Sequence, residues 1–154
     1  MFERFSRSTR AVVKHAQEIA ADDGADTVEA EHLLLALTQR SDEPTTRALA
    51  TLGMTEPTVR AALDEEFAHA LATVGVTAAV PPRRPLQHGR ANPKWGQSAK
   101  LALVRSLQVA VDRGHKPIDN RHLLLAISQA EAGVIPRVLR TLHVSASDLD
   151  TALR

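Results

Sequence analysis

The chain repeats itself once, at a spacing of 90 residues and without a gap. The anchor is Glu31-His32-Leu33-Leu34-Leu35-Ala36-Leu37 against Arg121-His122-Leu123-Leu124-Leu125-Ala126-Ile127. When residues 5–64 are laid over 95–154, 16 of 60 positions are identical, where about 5 would match by chance in a chain this rich in Ala and Leu. The identities include Ser8/Ser98, Ala20/Ala110, Asp22/Asp112, Gly24/Gly114, Gln39/Gln129, Leu49/Leu139 and Leu63/Leu153. Two copies of one unit are too few for a solenoid, so the expectation is a single domain with pseudo-two-fold symmetry over residues 1–154. Repeat one spans 5–72, a Pro- and Arg-rich loop 73–94, and repeat two 95–154.

Each repeat reads as four helices. Apolar spacing and caps predict helices over 8–23, 30–39, 45–52 and from 55 to at least 67. The second set falls over 98–113, 119–129, 135–142 and from 145 or 147 to 153. Gly24, Gly53 and Gly114 stand where helices end, in positions that favour the left-handed conformation. Aromatics make up only 3% of the chain, as Phe2, Phe5, Phe67 and Trp95, so Ala and Leu must fill the core. The fold class is therefore all-α. Three consecutive leucines cover most of a helix circumference, which puts the second helix of each repeat at the centre, with the first and fourth helices around it. Between Leu71 and Gly96 four prolines and, counting Gly96, three glycines exclude a long helix.

Several chemistries are excluded. There is no Cys, so no disulfide, thiolate catalysis or Cys-rich zinc site. The seven histidines form no His-x3-His pair, and neither a nucleophile elbow nor a phosphate-binding Gly-Lys-Ser/Thr loop is present. No enzyme activity, metal or cofactor is expected. His32 and His122 open equivalent helices, and the reading for both is a hydrogen-bonding role at the helix start. No signal-peptide core or membrane-length apolar run is present, so no membrane association is expected and a cytoplasmic protein is the expectation. The net charge of +1 hides an uneven distribution. Residues 1–66 hold 13 acids and 7 bases, whereas 67–111 hold no acid and six bases, from Arg83 to Arg105. A nucleic-acid-binding regulator using residues 83–105, with Trp95 as a stacking platform, is the rival class; one aromatic beside scattered bases reads more simply as a solvated linker and a polar helix face.

The opening Met-Phe-Glu-Arg-Phe, the helix ending before Gly24, and the link into Glu31-His32-Leu-Leu-Leu-Ala-Leu, repeated at His122, resemble the Clp amino-terminal repeat domain. This is the N-domain of ClpA- and ClpC-type AAA+ unfoldases, and the likeness covers nearly the whole chain. The resemblance implies an eight-helix, non-catalytic binding module that receives substrates and adaptors for the Clp protease system. In ClpC-type proteins it also implies binding of phosphoarginine and of macrocyclic peptide antibiotics. The family's phosphoarginine sites carry a Glu in each repeat. Here Glu31 is present in the first, but Arg121 replaces Glu in the second and cannot accept from a guanidinium. Phosphoarginine is thus not an expected ligand of the second site and rests on Glu31 alone at the first. The antibiotic surface of the family, an amino-terminal Phe with an aromatic-x4-Lys pattern, maps onto Phe2, Trp95 and Lys100. On this reading the protein modulates a ClpC-type unfoldase, acts as a decoy for its ligands, or is the N-domain of a longer chain. Whether Trp95 belongs to that surface or is only a core equivalent of Phe5 stays open.

Overall fold

A computed structural model describes residues 2–40, 43–76 and 92–154. A 3-10 turn, Phe2–Arg4, precedes α1 (Arg7–Asp22), β1 (Thr27–Val28), α2 (Ala30–Thr38), α3 (Pro44–Thr51) and α4 (Glu56–Thr73). The second half contains β2 (Lys94–Trp95), α5 (Gln97–Asp112), α6 (Asn120–Ser128), α7 (Val134–Thr141) and α8 (Ala146–Ala152). The fold is all-α, and among the described residues only those two short strands depart from it. α4 runs as far as Thr73, and Lys94 already belongs to β2, so both ends of the expected 73–94 loop are structured. Residues 77–91 of that loop lie outside the described residues.

Local chemistry explains where the helices begin and end. Ser6 Oγ accepts from the Thr9 N–H at 3.0 Å and caps α1. Thr55 with Thr58 and Ser145 with Asp148 form reciprocal capping boxes at the equivalent helices α4 and α8. Gly24 and Gly114 end α1 and α5 with φ of +71° and +66°. Gly53 ends α3 at φ +75°, but its counterpart after α7 is His143, held at φ +55°. A Cβ at that angle crowds the backbone, so the second repeat carries a strain that the first avoids.

The leucine triplets sit where their pattern demanded. Leu33, Leu34 and Leu35 are at most 1% exposed, and Leu123, Leu124 and Leu125 are also buried. α2 touches α1, α3, α4, α5, α6 and α7, and α6 touches α1, α2, α3, α5, α7 and α8. The remaining contacts obey the repeat: α3 packs on α8 as α7 packs on α4.

The two halves are joined reciprocally. β1 pairs in parallel with β2, Val28 opposite Trp95, and Gly96 N–H donates to Val28 O at 2.8 Å. Ninety residues away in register, Phe5 bridges Ile118 in parallel, and Ser6 N–H donates to Ile118 O at 2.8 Å. The segment that opens each repeat is therefore held by the α1–α2-type link of the other. An ion pair follows the same symmetry with its charges exchanged. Asp23 at the end of α1 meets Arg60 of α4 at 3.3 Å, and Arg113 at the end of α5 meets Asp150 of α8.

Candidate functional site

The reciprocal pairing brings the aromatic residues together. Phe5 is a core residue, 3% exposed, and Trp95 is half-buried. Phe2 lies against both, its ring centroid 5.7 Å from Phe5 and 6.4 Å from Trp95, with tilted planes. Phe2 remains 38% exposed. Phe5 and Trp95 thus occupy equivalent backbone positions but differ in exposure. Lys100 is exposed in the first turn of α5, where its N–H bonds the Gly96 carbonyl.

Glu31 lies apart from the aromatic junction, in the first turn of α2. It lines a groove of about 510 Å³ between the starts of α2 and α5 and the α6–α7 connection. The floor is apolar, with Ala102, Ile127 and Ile135, and the charged rim is Glu29, Glu31 and Glu131 against Arg105. The repeat operation generates a second groove, of about 410 Å³, around the start of α6. Positions 119, 120, 121 and 8 line it where 29, 30, 31 and 98 line the first. Its charged groups are Glu43 and Asp119 against Arg121 and Arg154, two of each sign. Two grooves of one ancestry therefore differ in charge: the first is acidic and the second balanced.

Arg121 is tied down. Its Nη2 and Nε donate to Asp119 Oδ2 at 2.7 and 3.1 Å, and this bond raises its pKa above the ordinary guanidinium value. Burial works to raise the Asp119 pKa, but the hydrogen bond from Arg121 and the neighbouring charges hold it below the usual carboxylate value.

His32 and His122 serve the helix starts. His32 Nδ1 accepts from the Glu29 N–H at 2.8 Å, and His122 Nδ1 accepts from the Asp119 N–H at 2.9 Å. The accepting Nδ1 of His122 puts its proton on Nε2, which donates to His115 Nδ1 at 2.9 Å. His122 is 1% exposed, and burial lowers its pKa. With Nδ1 capping and Nε2 sealed against His115, His122 has no free nitrogen for a substrate or ligand. Among the described residues no cluster of three or more His, Asp or Glu could hold a metal ion. No described helix is long and apolar enough to cross a membrane.

Sequence reasoning missed the polar bonds between the repeats. The Ala30 N–H donates to Ser98 Oγ at 2.8 Å, and Ser98 Oγ donates in turn to the Glu29 carboxylate. In the other half Asn120 Nδ2 donates to Ser8 Oγ at 3.0 Å. The only trace in the sequence is the Ser8/Ser98 identity. Gly96 sits against the same junction: a Cβ there would lie 1.8 Å from the Glu29 carboxylate, which would have to swing away from Ser98.

A duplicated all-α domain with an exposed aromatic at the junction and paired grooves, whose two sequence-flagged histidines are committed to structure, belongs to the class of recognition domains. The comparisons give the family. The chain matches the Clp repeat (R) N-terminal domain over residues 4–89 and 94–154 and is a member of that family. It is 29% identical over 151 residues to the chloroplastic ClpA homolog of Brassica napus, the ATP-binding subunit of the ATP-dependent Clp protease, and to the chloroplastic chaperone protein ClpC1 of Arabidopsis thaliana. Each of those matches covers 98% of this chain but only 16% and 15% of the relative. The N-terminal domain of ClpD from Arabidopsis thaliana superposes with a TM-score of 0.70 at 21% identity, over 99% of this chain and 96% of that one. The Hsp104 N-terminal domain of Candida albicans gives 0.66 at 12% identity, over 97% and 88%.

Proposed function

We propose that this domain is a non-catalytic recognition module of the Clp protease system, which captures substrates or adaptor proteins for a ClpC-type unfoldase. The observation that carries the reading is the exposed Phe2 ring resting on Trp95, with Lys100 exposed one turn into α5. This gives an amphipathic contact on a domain otherwise poor in aromatics, of the kind that anchors peptide ligands. The acidic groove at Glu31 supplies a separate polar anchor for a cationic side chain. The charge balance of the second groove, with Arg121 bound to Asp119, removes the equivalent anchor there.

The test is a calorimetric titration with a macrocyclic peptide that binds N-domains of this family, and separately with free phosphoarginine. Trp95→Ala should weaken the macrocycle about tenfold or more, and Trp95→Phe, which keeps the packing, should weaken it less. Unchanged affinity in Trp95→Ala overturns the contact. Glu31→Gln should abolish any phosphoarginine binding and leave the macrocycle alone.

A further inference from the structure

The second groove contains an acceptor with nothing to accept. Asn120 opens α6 and lines this groove, and the residue is 3% exposed. Counting protons fixes how its amide is turned. The Glu43 carboxylate can only accept, so the one Ser8 hydroxyl proton goes to Glu43. Ser8 Oγ therefore accepts from Asn120 Nδ2, at 3.0 Å, and Oδ1 is the other arm of the amide, turned away from Ser8. Among the described residues no group donates to Oδ1, which is sealed from solvent. A buried acceptor without a donor lowers stability, and the fold does not require this one. The same place in the first repeat is held by Ala30, also 3% exposed. There Ser98 Oγ accepts from the Ala30 N–H and donates to Glu29. The same helix start is therefore built once without any side-chain amide at this position.

The rest of the groove disfavours an ion. Asp119 Oδ1 accepts from the N–H groups of Arg121 and His122 at 2.9 and 3.4 Å, so these amides of the helix start are taken. Arg121 is bound to Asp119, Arg154 to Asp150 at 3.2 Å, and Glu43 accepts from Ser8. An anion entering here meets Asp119, Glu43 and the bare Oδ1, and a cation meets Arg121, Arg154 and the positive end of α6. An uncharged donor meets neither objection. The groove also offers apolar wall at Pro44 and Leu153, and Thr45, 2% exposed, brings a hydroxyl to its lining.

We infer that the second groove binds a primary carboxamide, the side chain of a glutamine in a protein segment. The glutamine NH2 donates to Asn120 Oδ1, its carbonyl accepts from the Thr45 hydroxyl, and its methylenes lie on Pro44 and Leu153. A main-chain N–H lies too close to its own strand to reach a sealed acceptor, whereas glutamine carries its NH2 at the end of a slim stem. The Arg154 side chain on the rim is 76% exposed and can swing aside as the stem enters. The site shares no residue with the Glu31 groove or with the Phe2, Trp95 and Lys100 contact. It goes beyond the proposed function, which leaves this groove without a ligand.

The probe is a blocked tripeptide with glutamine between two alanines, closed by an acetyl group and an N-methylamide so that it carries no other primary amide. Counterparts replace the glutamine with glutamate, lysine or methionine. Binding is followed by heteronuclear NMR on the whole chain. The glutamine probe should shift the side-chain NH2 signals of Asn120 and the backbone signals of Thr45 and Arg121. Glutamate, which has the same shape and no N–H, and methionine should bind about tenfold more weakly or not at all, and lysine likewise. Asn120→Ala, the arrangement already present at Ala30, should keep its Tm within a few degrees and lose the preference for glutamine. Thr45→Val, of equal volume, should weaken the glutamine probe several-fold. Four results overturn the inference: no shift at Asn120 with the glutamine probe, equal binding of any counterpart, unchanged glutamine binding in Asn120→Ala, or an Asn120→Ala chain that fails to fold. Absence of glutamine binding, with the macrocycle still bound through Trp95, sinks this site and spares the proposed function. The reverse pattern sinks the aromatic contact and spares the site.

Discussion

His122→Leu isolates what a buried capping histidine contributes to the central helix. Leu is close in volume, so little cavity is left behind. What disappears is the Nδ1 acceptor for the Asp119 N–H, at 2.9 Å, and the donor to His115. A lost helix cap costs about 1 kcal/mol, and a buried polar group left unmade adds about 1 more. The total of about 2 kcal/mol should lower Tm by about 4–8 °C in a domain of this size. The pH dependence sharpens the test. His122 is held neutral in the fold, first by burial and then by the charges of His115, Arg121 and Arg113, against the favourable pull of Asp119. Its folded pKa lies below the unfolded value, so the unfolded chain takes up the extra proton as pH falls through about 6.5. Stability from this group is complete above that pH and is lost below it. Differential scanning calorimetry at pH 7.5 and 5 should show the wild type losing more Tm than His122→Leu, so that the gap between them narrows in acid. A gap that holds constant or widens, or a variant as stable as the wild type at pH 7.5, refutes the reasoning.

Three further changes test the geometry of the fold. His143→Gly relieves a left-handed residue and should stabilise by about 0.5–1 kcal/mol, read as a higher denaturation midpoint with an unchanged slope. Gly96→Ala displaces the end of the Glu29 side chain from Ser98 and should cost about 1 kcal/mol; Gly96→Ala with Glu29→Ala should cost less than the sum of the two single changes. Arg60→Asp sets two acids together at Asp23 and should destabilise by about 1 kcal/mol or less at this partly exposed site. Adding Asp23→Arg, the arrangement already present at Arg113 and Asp150, should recover most of that loss in a double-mutant cycle.

The fold was largely legible because the duplication tests itself. A helix end marked by Gly24 gains weight when Gly114 stands at the same place, and a leucine triplet that appears twice must be buried twice. The strands were not legible. Thr27–Val28 and Lys94–Trp95 are two residues each, too short for any alternation to show, and what defines them is a pairing between chain positions far apart. The exchanged ion pair escaped for another reason: comparison by identity scores Asp23 against Arg113 as a mismatch, although the bridge is kept. At the site, the family resemblance grouped Phe2 with Trp95, and the two rings lie 6.4 Å apart. It did not foretell that Glu31 would lie in a separate groove, since that depends on Ser98 and Glu29 bonding across 69 positions of chain. The exposure of Leu101, Val104 and Val111 on α5 was not legible, because Leu and Val at helical spacing look the same facing the core or the solvent.

The reciprocal pairing of the two halves works as a clasp. Phe5 closes on Ile118 and Trp95 on Val28, so each half supplies the fastening that the other half needs. Half of this chain is not half of a domain. A lone repeat leaves its own opening segment and link without these mates. A single cut between residues 76 and 92 breaks the covalent path and none of these fastenings. The clasp leaves positions 31 and 121 outside its pairings, and there the two repeats carry opposite charges, Glu31 and Arg121.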